Sequence, residues 1–116
     1  MISTLKLSLS VFLSILIWFS IKVSLCRAEF KSTGNTTFYI DSHKGNDNNT
    51  GLTPDSAWKS INKINTAHFN SRDSILFKTD CMWNGHLHPK GSGQTGHPIV
   101  IDQYGTGRKP VINGGG

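Results

Sequence analysis

Ile75 and Ile99 stand 24 residues apart, and so do Leu87 and Val111. All four lie in short β-prone runs, 74–77, 83–87, 98–101 and 110–112, divided by Gly, Pro and Asn. Two different strands that return after one interval imply a chain that coils. One coil cannot cover its own apolar interior, so it stacks on the next, strand over strand. The pattern predicts a mainly β fold that opens a coiled solenoid. All 12 glycines and all nine asparagines follow residue 28, which suits a turn-rich β protein and argues against a helical bundle.

The first 28 residues are of another kind. A positive start with Lys6 leads into an apolar run from Leu7 to Leu25, broken only by Lys22, with Cys26, Arg27 and Ala28 after it. A secretory signal cut before Glu29 has this form. The run is also nearly long enough to stay as an anchor. A third reading, lipidation of Cys26, is opposed by the bulky Leu25. Each of the three places the body outside the cytoplasmic membrane, secreted or in the cell envelope. The formal charge of +5 also owes much to this segment. Beyond it nine basic residues face seven acidic ones, so bulk charge gives no support to nucleic acid as a partner. Membrane contact is expected only through residues 1–28. Cys81 is then the one cysteine of the body and has no internal partner for a disulfide.

Residues 29–37 are polar and read as a linker, and the remaining 38–116 as the folded body. Phe38 to Ile40 is a short β run, and 41–53 is too dense in Gly, Asn and Asp for regular structure. Trp58, Ile61, Ile64 and His68 recur at three and four residues, the period of one amphipathic helix. Thr53 before Pro54, or Ser60, would cap its start, and its end is expected near Phe69 and Asn70.

Specific motifs then point to a family. Segment 39–54 reads YIDSHKGNDNNTGLTP, 57–61 reads AWKSI and 73–78 reads DSILFK. WNGHLHPKGSG at 83–93, GHPIVI at 96–101, YGTG at 104–107 and KPVING at 109–114 follow. In this order they resemble the opening of secreted right-handed parallel β-helix proteins, the pectate-lyase-like group. The resemblance implies that the 58–70 helix caps the open end and that the strands from Asp73 onward form the first two coils. One departure is Ser71-Arg72, where the group usually has Pro-Gly. Fewer than about three repeats rarely hold a solenoid together. The chain is therefore expected to be the N-terminal part of a longer protein.

The chemical candidates are each weaker than their plain alternatives. GSGQTG at 91–96 imitates a phosphate loop, but His97 and Pro98 replace the required Lys and Ser/Thr and a strand follows, so a glycine-rich turn is expected. His86 and His88 share one side of a strand at a spacing suited to zinc, with His97 as a spatial third. No ligand follows at a suitable sequence distance, so a polar strand face is the reading. Asp41, Asn46, Asp47, Asn48 and Asn49 offer hard oxygens for calcium but fail the EF-hand pattern, and Asx turns explain them. Trp58, Trp83 and Tyr104 are expected to pack the cap and the coil corners more than to stack on sugars. Asn35 and Asn48 head glycosylation sequons, of consequence only in a eukaryotic secretory route. Among Asp41, Asp47, Asp73 and Asp102 no spacing brings two carboxylates together, and Asp73 is expected to serve the turn before its strand.

The resemblance implies an exported protein acting on polysaccharide, as a lyase or a glycoside hydrolase. In the lyases a basic side chain removes the proton next to a uronate carboxylate, while calcium or a cation holds the resulting charge. Those groups lie on later coils, and no residue here matches them. Catalytic residues are unassigned and no cofactor or metal site is identified, calcium being possible only in the longer parent. The piece itself is expected to be inactive. The rival reading is a non-catalytic surface solenoid for carbohydrate binding or adhesion.

Overall fold

A computed structural model describes residues 29–115. The expected leader, 1–28, lies outside them. Within the described residues seven short strands make the fold mainly β: β1 (Thr37–Ile40), β2 (His68–Phe69), β3 (Ser74–Lys78), β4 (Met82–Asn84), β5 (Lys90–Gly91), β6 (Val100–Tyr104) and β7 (Val111–Asn113). Among the described residues one α-helix, α1 (Ile61–Thr66), and a 3-10 turn (Pro54–Ser56) join them.

Every pairing between these strands is parallel. They form three ladders, β1-β3-β6, β2-β5 and β4-β7. From β2 onward the chain visits the ladders in one cyclic order twice. Alternation places one face of each strand inward. Phe38, Ile75 and Ile101 stack in register, as do Ile40, Phe77 and Gln103 on β1, β3 and β6. Trp83 stacks on Ile112 across β4 and β7. In the core Phe38, Ile40, Ile75 and Phe77 are buried with Trp58, Ile64 and Trp83. Trp58 lies flat on Phe38 at 5.1 Å, and its indole N–H donates to Asn49 O at 2.8 Å. Trp83 meets Phe77 edge-on and donates to Lys59 O at 2.8 Å. Each indole thus buries its ring and keeps its one donor satisfied.

The order of elements agrees with the sequence reading, but the intervals do not. The expected 24-residue repeat would set Ile75 on Ile99 and Leu87 on Val111. Instead Ile75 pairs with Ile101, and Val111 pairs with Met82. The turns between strands differ in length, so each ladder keeps its own interval. β4 stops at Asn84, and Leu87 packs on the core from an irregular segment. The helix is also shorter than expected. Ser60 is its cap, its hydroxyl accepting from Lys63 N at 3.1 Å, while Thr53 caps the separate 3-10 turn. At the other end Ala67 N bonds to Lys63 O, and the chain passes directly into β2. His68 and Phe69 are therefore strand, with Phe69 turned inward against Phe38. Gly91 is required where β5 meets β2: its φ is 116°, and a Cβ there would run into Phe69 O.

Residues 29–37, read as a linker, are built into this frame. Lys31 bridges His68 in parallel, and Phe30 packs edge-on against Phe38 and Trp58.

Candidate functional site

A group of ionisable side chains gathers where β1, β3 and β6 end. Strand alternation turns Tyr39, Leu76 and Asp102 outward in one row, and Lys78 and Tyr104 outward in the next. Asp41 follows β1, and Thr79 to Cys81 follow β3. A cleft of about 360 Å³ opens here, lined by Asp41, His43, Lys78, Asp80, Cys81 and Thr106 among others.

Asp41 organises the cleft floor. Only 6% exposed, it accepts at Oδ1 from the N–H groups of His43 (2.9 Å) and Lys44 (3.1 Å) and from the Cys81 thiol (3.6 Å). Burial pushes its carboxyl up. The Lys44 and His43 N–H groups, the Cys81 thiol and the His43 charge outweigh burial and hold it below its ordinary value. Tyr104 crosses the outer face, edge-on to Tyr39 at 5.0 Å, with the Lys78 ammonium 5.2 Å from its ring centre. Its hydroxyl is buried and, among the described residues, has no hydrogen-bond partner. Burial, then Asp41, Cys81 and Tyr39, push its pKa up to about 12.

The remaining carboxylates hold turns. Asp47 accepts from the Lys59 and Ser60 N–H groups at 2.9 Å and from the Ser60 hydroxyl at 2.6 Å, tying the 41–53 loop to the start of α1. Burial raises it, and these donors with Lys63 more than compensate, so it too lies below its ordinary value. Asp73, fully buried, accepts from Thr36 N and Asn70 N and clamps the turn before β3. Asp80 accepts from Arg108 N, and Asp102 from Gln103 N. No two of these carboxylates share a hydrogen bond or an ion pair among the described residues.

The other sequence candidates separate as follows. The 91–96 loop closes between Gln94 and His97, which exchange both backbone bonds, so those N–H groups are taken. His86 and His88 follow β4 rather than lying in it, their ring centres 6.2 Å apart. The Asn65 side chain fastens that segment to α1, donating to His86 O and accepting from His88 N. His97 goes elsewhere, to Arg72. Among the described residues no three His, Cys, Asp or Glu side chains are grouped to hold a metal ion. Asn46 accepts from Asn48 N, and Asn49 donates to Ala57 O, so the polar loop satisfies itself. Trp58 and Trp83, 1% and 5% exposed, have no free face for a sugar ring. Asn35 and Asn48 are both exposed. The Asp41–Cys81–Tyr104 group was not found from the sequence. Its members are far apart in the chain, and only the parallel register of β1, β3 and β6 brings them together.

No protein-family model matches the chain. It is 34% identical over 91 residues to a lacto-N-biosidase of Bifidobacterium longum subsp. longum, covering 73% of this chain and 6% of that protein. The crystal structure of the native GH136 lacto-N-biosidase from Eubacterium ramulus matches with a TM-score of 0.60 at 32% identity. That match covers 65% of this chain and 12% of the solved one. Its selenomethionine derivative matches with a TM-score of 0.61 at 31% identity, over 66% and 12%. The chain thus spans about an eighth or less of the length of these relatives, and its described part shares their local fold.

Proposed function

We propose that this chain forms the cap and first windings of a right-handed parallel β-helix in an exported, carbohydrate-acting protein of glycoside hydrolase type. The likeness to lacto-N-biosidases in both sequence and fold carries the reading. The winding part is supported by three parallel ladders visited twice in one order, and right-handed crossovers are the general rule for parallel strands. Of the two reactions implied by the sequence resemblance, the relatives' names favour hydrolysis over elimination. Residues 1–28 take the role of an export segment in this reading.

Glycoside hydrolysis generally needs two carboxyl groups about 5–9.5 Å apart across a sugar. The carboxylates of Asp41, Asp47, Asp73, Asp80 and Asp102 instead accept backbone N–H groups. In this proposal the chain's part is structural. It closes one end of the coil and sets the register on which later windings, with the catalytic pair, are laid.

A segment exchange tests this. Residues 29–115 replace the matching segment of the Eubacterium ramulus enzyme. The expected chimera folds and keeps lacto-N-biosidase activity to within about tenfold, because a register-setting cap acts through geometry and not through contacts at the reacting bond. A chimera that folds yet is inactive, beside an active parent, would overturn the reading.

A further inference from the structure

The charge of the folded body is unevenly placed. Beside the cleft of about 360 Å³ lies a second of about 280 Å³, and the two share Asp80 and Cys81. Together they are lined by four of the nine basic residues that follow position 28: Lys44, Lys78, Arg108 and Lys109. Of the seven acidic residues they take only Asp41 and Asp80. The five bases and five acids elsewhere cancel, so the formal surplus of two positive charges belongs to these clefts. Ion pairing does not consume it. Among the described residues Glu29 holds the ion pairs, with His68 and Lys90, and none of the four cations has one.

The walls that carry these charges are fixed by the strand register. The turn after β6 folds onto the turn after β3: Thr79 N donates to Tyr104 O, Asp80 N to Arg108 O and the Thr79 hydroxyl to Thr106 O. Arg108 N returns a bond to Asp80 Oδ1 at 2.9 Å. Gly107 permits this approach, for its φ is 138° and a Cβ there would run into the Asp80 carboxylate. Lys78 is steadied by the Tyr104 ring, 5.2 Å from its ammonium. The clefts also keep acceptors. The bonds to Asp41 fall on Oδ1, as does the bond to Asp80, which leaves Oδ2 of each without a partner among the described residues.

Cations and carboxylates side by side select the kind of ligand. A bare oxyanion or an acidic peptide side chain meets the cations but offers no hydrogen to the two carboxylates. A sugar with one anionic substituent offers both, its charge to the ammonium and guanidinium groups and its hydroxyls to the carboxylates. A volume of about 360 Å³ stands at the lower end of small-ligand sites. We propose that these joined clefts bind a sugar unit bearing one carboxylate or sulfate, with Lys44 and Lys78 at the anion and Asp41 and Asp80 accepting from hydroxyls. The site holds its ligand and makes or breaks no bond. The inference rests on charge and hydrogen-bonding groups and not on the structural role proposed above. The segment exchange and the experiment below can therefore fail separately.

The probes are glucuronic acid and glucose 6-sulfate, with glucose and inorganic sulfate as controls. Each is titrated into the isotope-labelled full chain at pH 7, and the amide resonances are followed by NMR. The expected result is saturable shifts at residues 41–44, 78–81 and 106–109. At least one anionic sugar binds about tenfold or more tightly than glucose and than sulfate, and the tighter of the two names the substituent. Rising ionic strength weakens it. Lys78→Gln is expected to weaken binding at least about fivefold, and Lys78→Arg to keep it within about twofold. Lys44→Gln, at an exposed position, serves in the same way should Lys78→Gln disturb the packing on Tyr104. Failure of both anionic sugars to bind, glucose or sulfate bound as tightly, or unchanged binding by folded Lys78→Gln and Lys44→Gln would each overturn the proposal.

Discussion

Tyr104 shows how one side chain can be well placed and poorly satisfied together. Its ring packs on Tyr39 and under Lys78, while its hydroxyl is buried without a partner among the described residues. An unmet hydroxyl in such a position costs on the order of 1 kcal/mol or more. Tyr104→Phe is therefore expected to raise stability at pH 7 by about 1 kcal/mol in urea titration. The pH dependence follows from the raised folded pKa. Below the ordinary value of 10.0 both folded and unfolded tyrosines hold the proton, and the stability is intact. As pH climbs from 10.0 toward about 12, the unfolded chain ionises first and stability falls. Melting temperature should drop across that window in the wild type and drop less in Tyr104→Phe. A destabilised phenylalanine variant with an unchanged alkaline limb would show that the hydroxyl meets a partner after all.

At the scale of elements, α1 is the best place to see what sequence can and cannot give. Its six residues are too few for an autonomous helix. Two interactions hold it: Ile61 and Ile64 buried in the core, and the Ser60 cap, itself braced by Asp47. Ser60→Ala removes the bond to Lys63 N and the 2.6 Å bond to Asp47, and is expected to cost about 1–2 kcal/mol in urea unfolding. Ser60→Asp would keep a cap acceptor but set a second carboxylate beside Asp47, and should rescue less than Ser60→Thr. A Ser60→Ala variant as stable as the wild type would remove the cap from the account. Ser60 was legible as one of two candidate caps, and five of the seven described strands in outline, because apolar alternation and turn residues are local signals. The helix end was not. Trp58, Ile61, Ile64 and His68 do recur at helical spacing, but the core also draws Phe69 inward as strand against Phe38. Periodicity cannot tell these apart, and tertiary packing decides. Strand register was hidden for a similar reason. It depends on how many residues each turn takes up, and turns such as 91–99 carry no periodic signal. The cleft lined by Asp41 and Cys81 inherits that dependence, since a shift of one residue between β1 and β3 would turn Asp41 away from it.

At the scale of the molecule the two ends of the described strand stack differ, and the open one is expected to govern association in solution. One is closed by the 51–58 segment, while the other presents Val100, Ile101 and Val111, each more than two-fifths exposed. An open strand edge with an apolar row is the usual starting point for edge-to-edge association, and natural proteins blunt such edges with lysine. Ile101→Lys with Val111→Lys puts a charge on both outer strands without removing a backbone bond to β3 or β4. Both side chains are half in water already, so the melting temperature is expected to shift by no more than about 4 °C. Light scattering during the melt should fall sharply, because the chain unfolds without a template edge to recruit its neighbours. The closed end supplies the control: Lys44 and Lys59 already flank it, and Leu52→Lys there removes the 49%-exposed leucine of that end. If the open edge governs association, Leu52→Lys leaves the scattering as it was. Equal suppression by all three lysines would instead assign the effect to added net charge, and the difference between the two ends would lose its physical meaning.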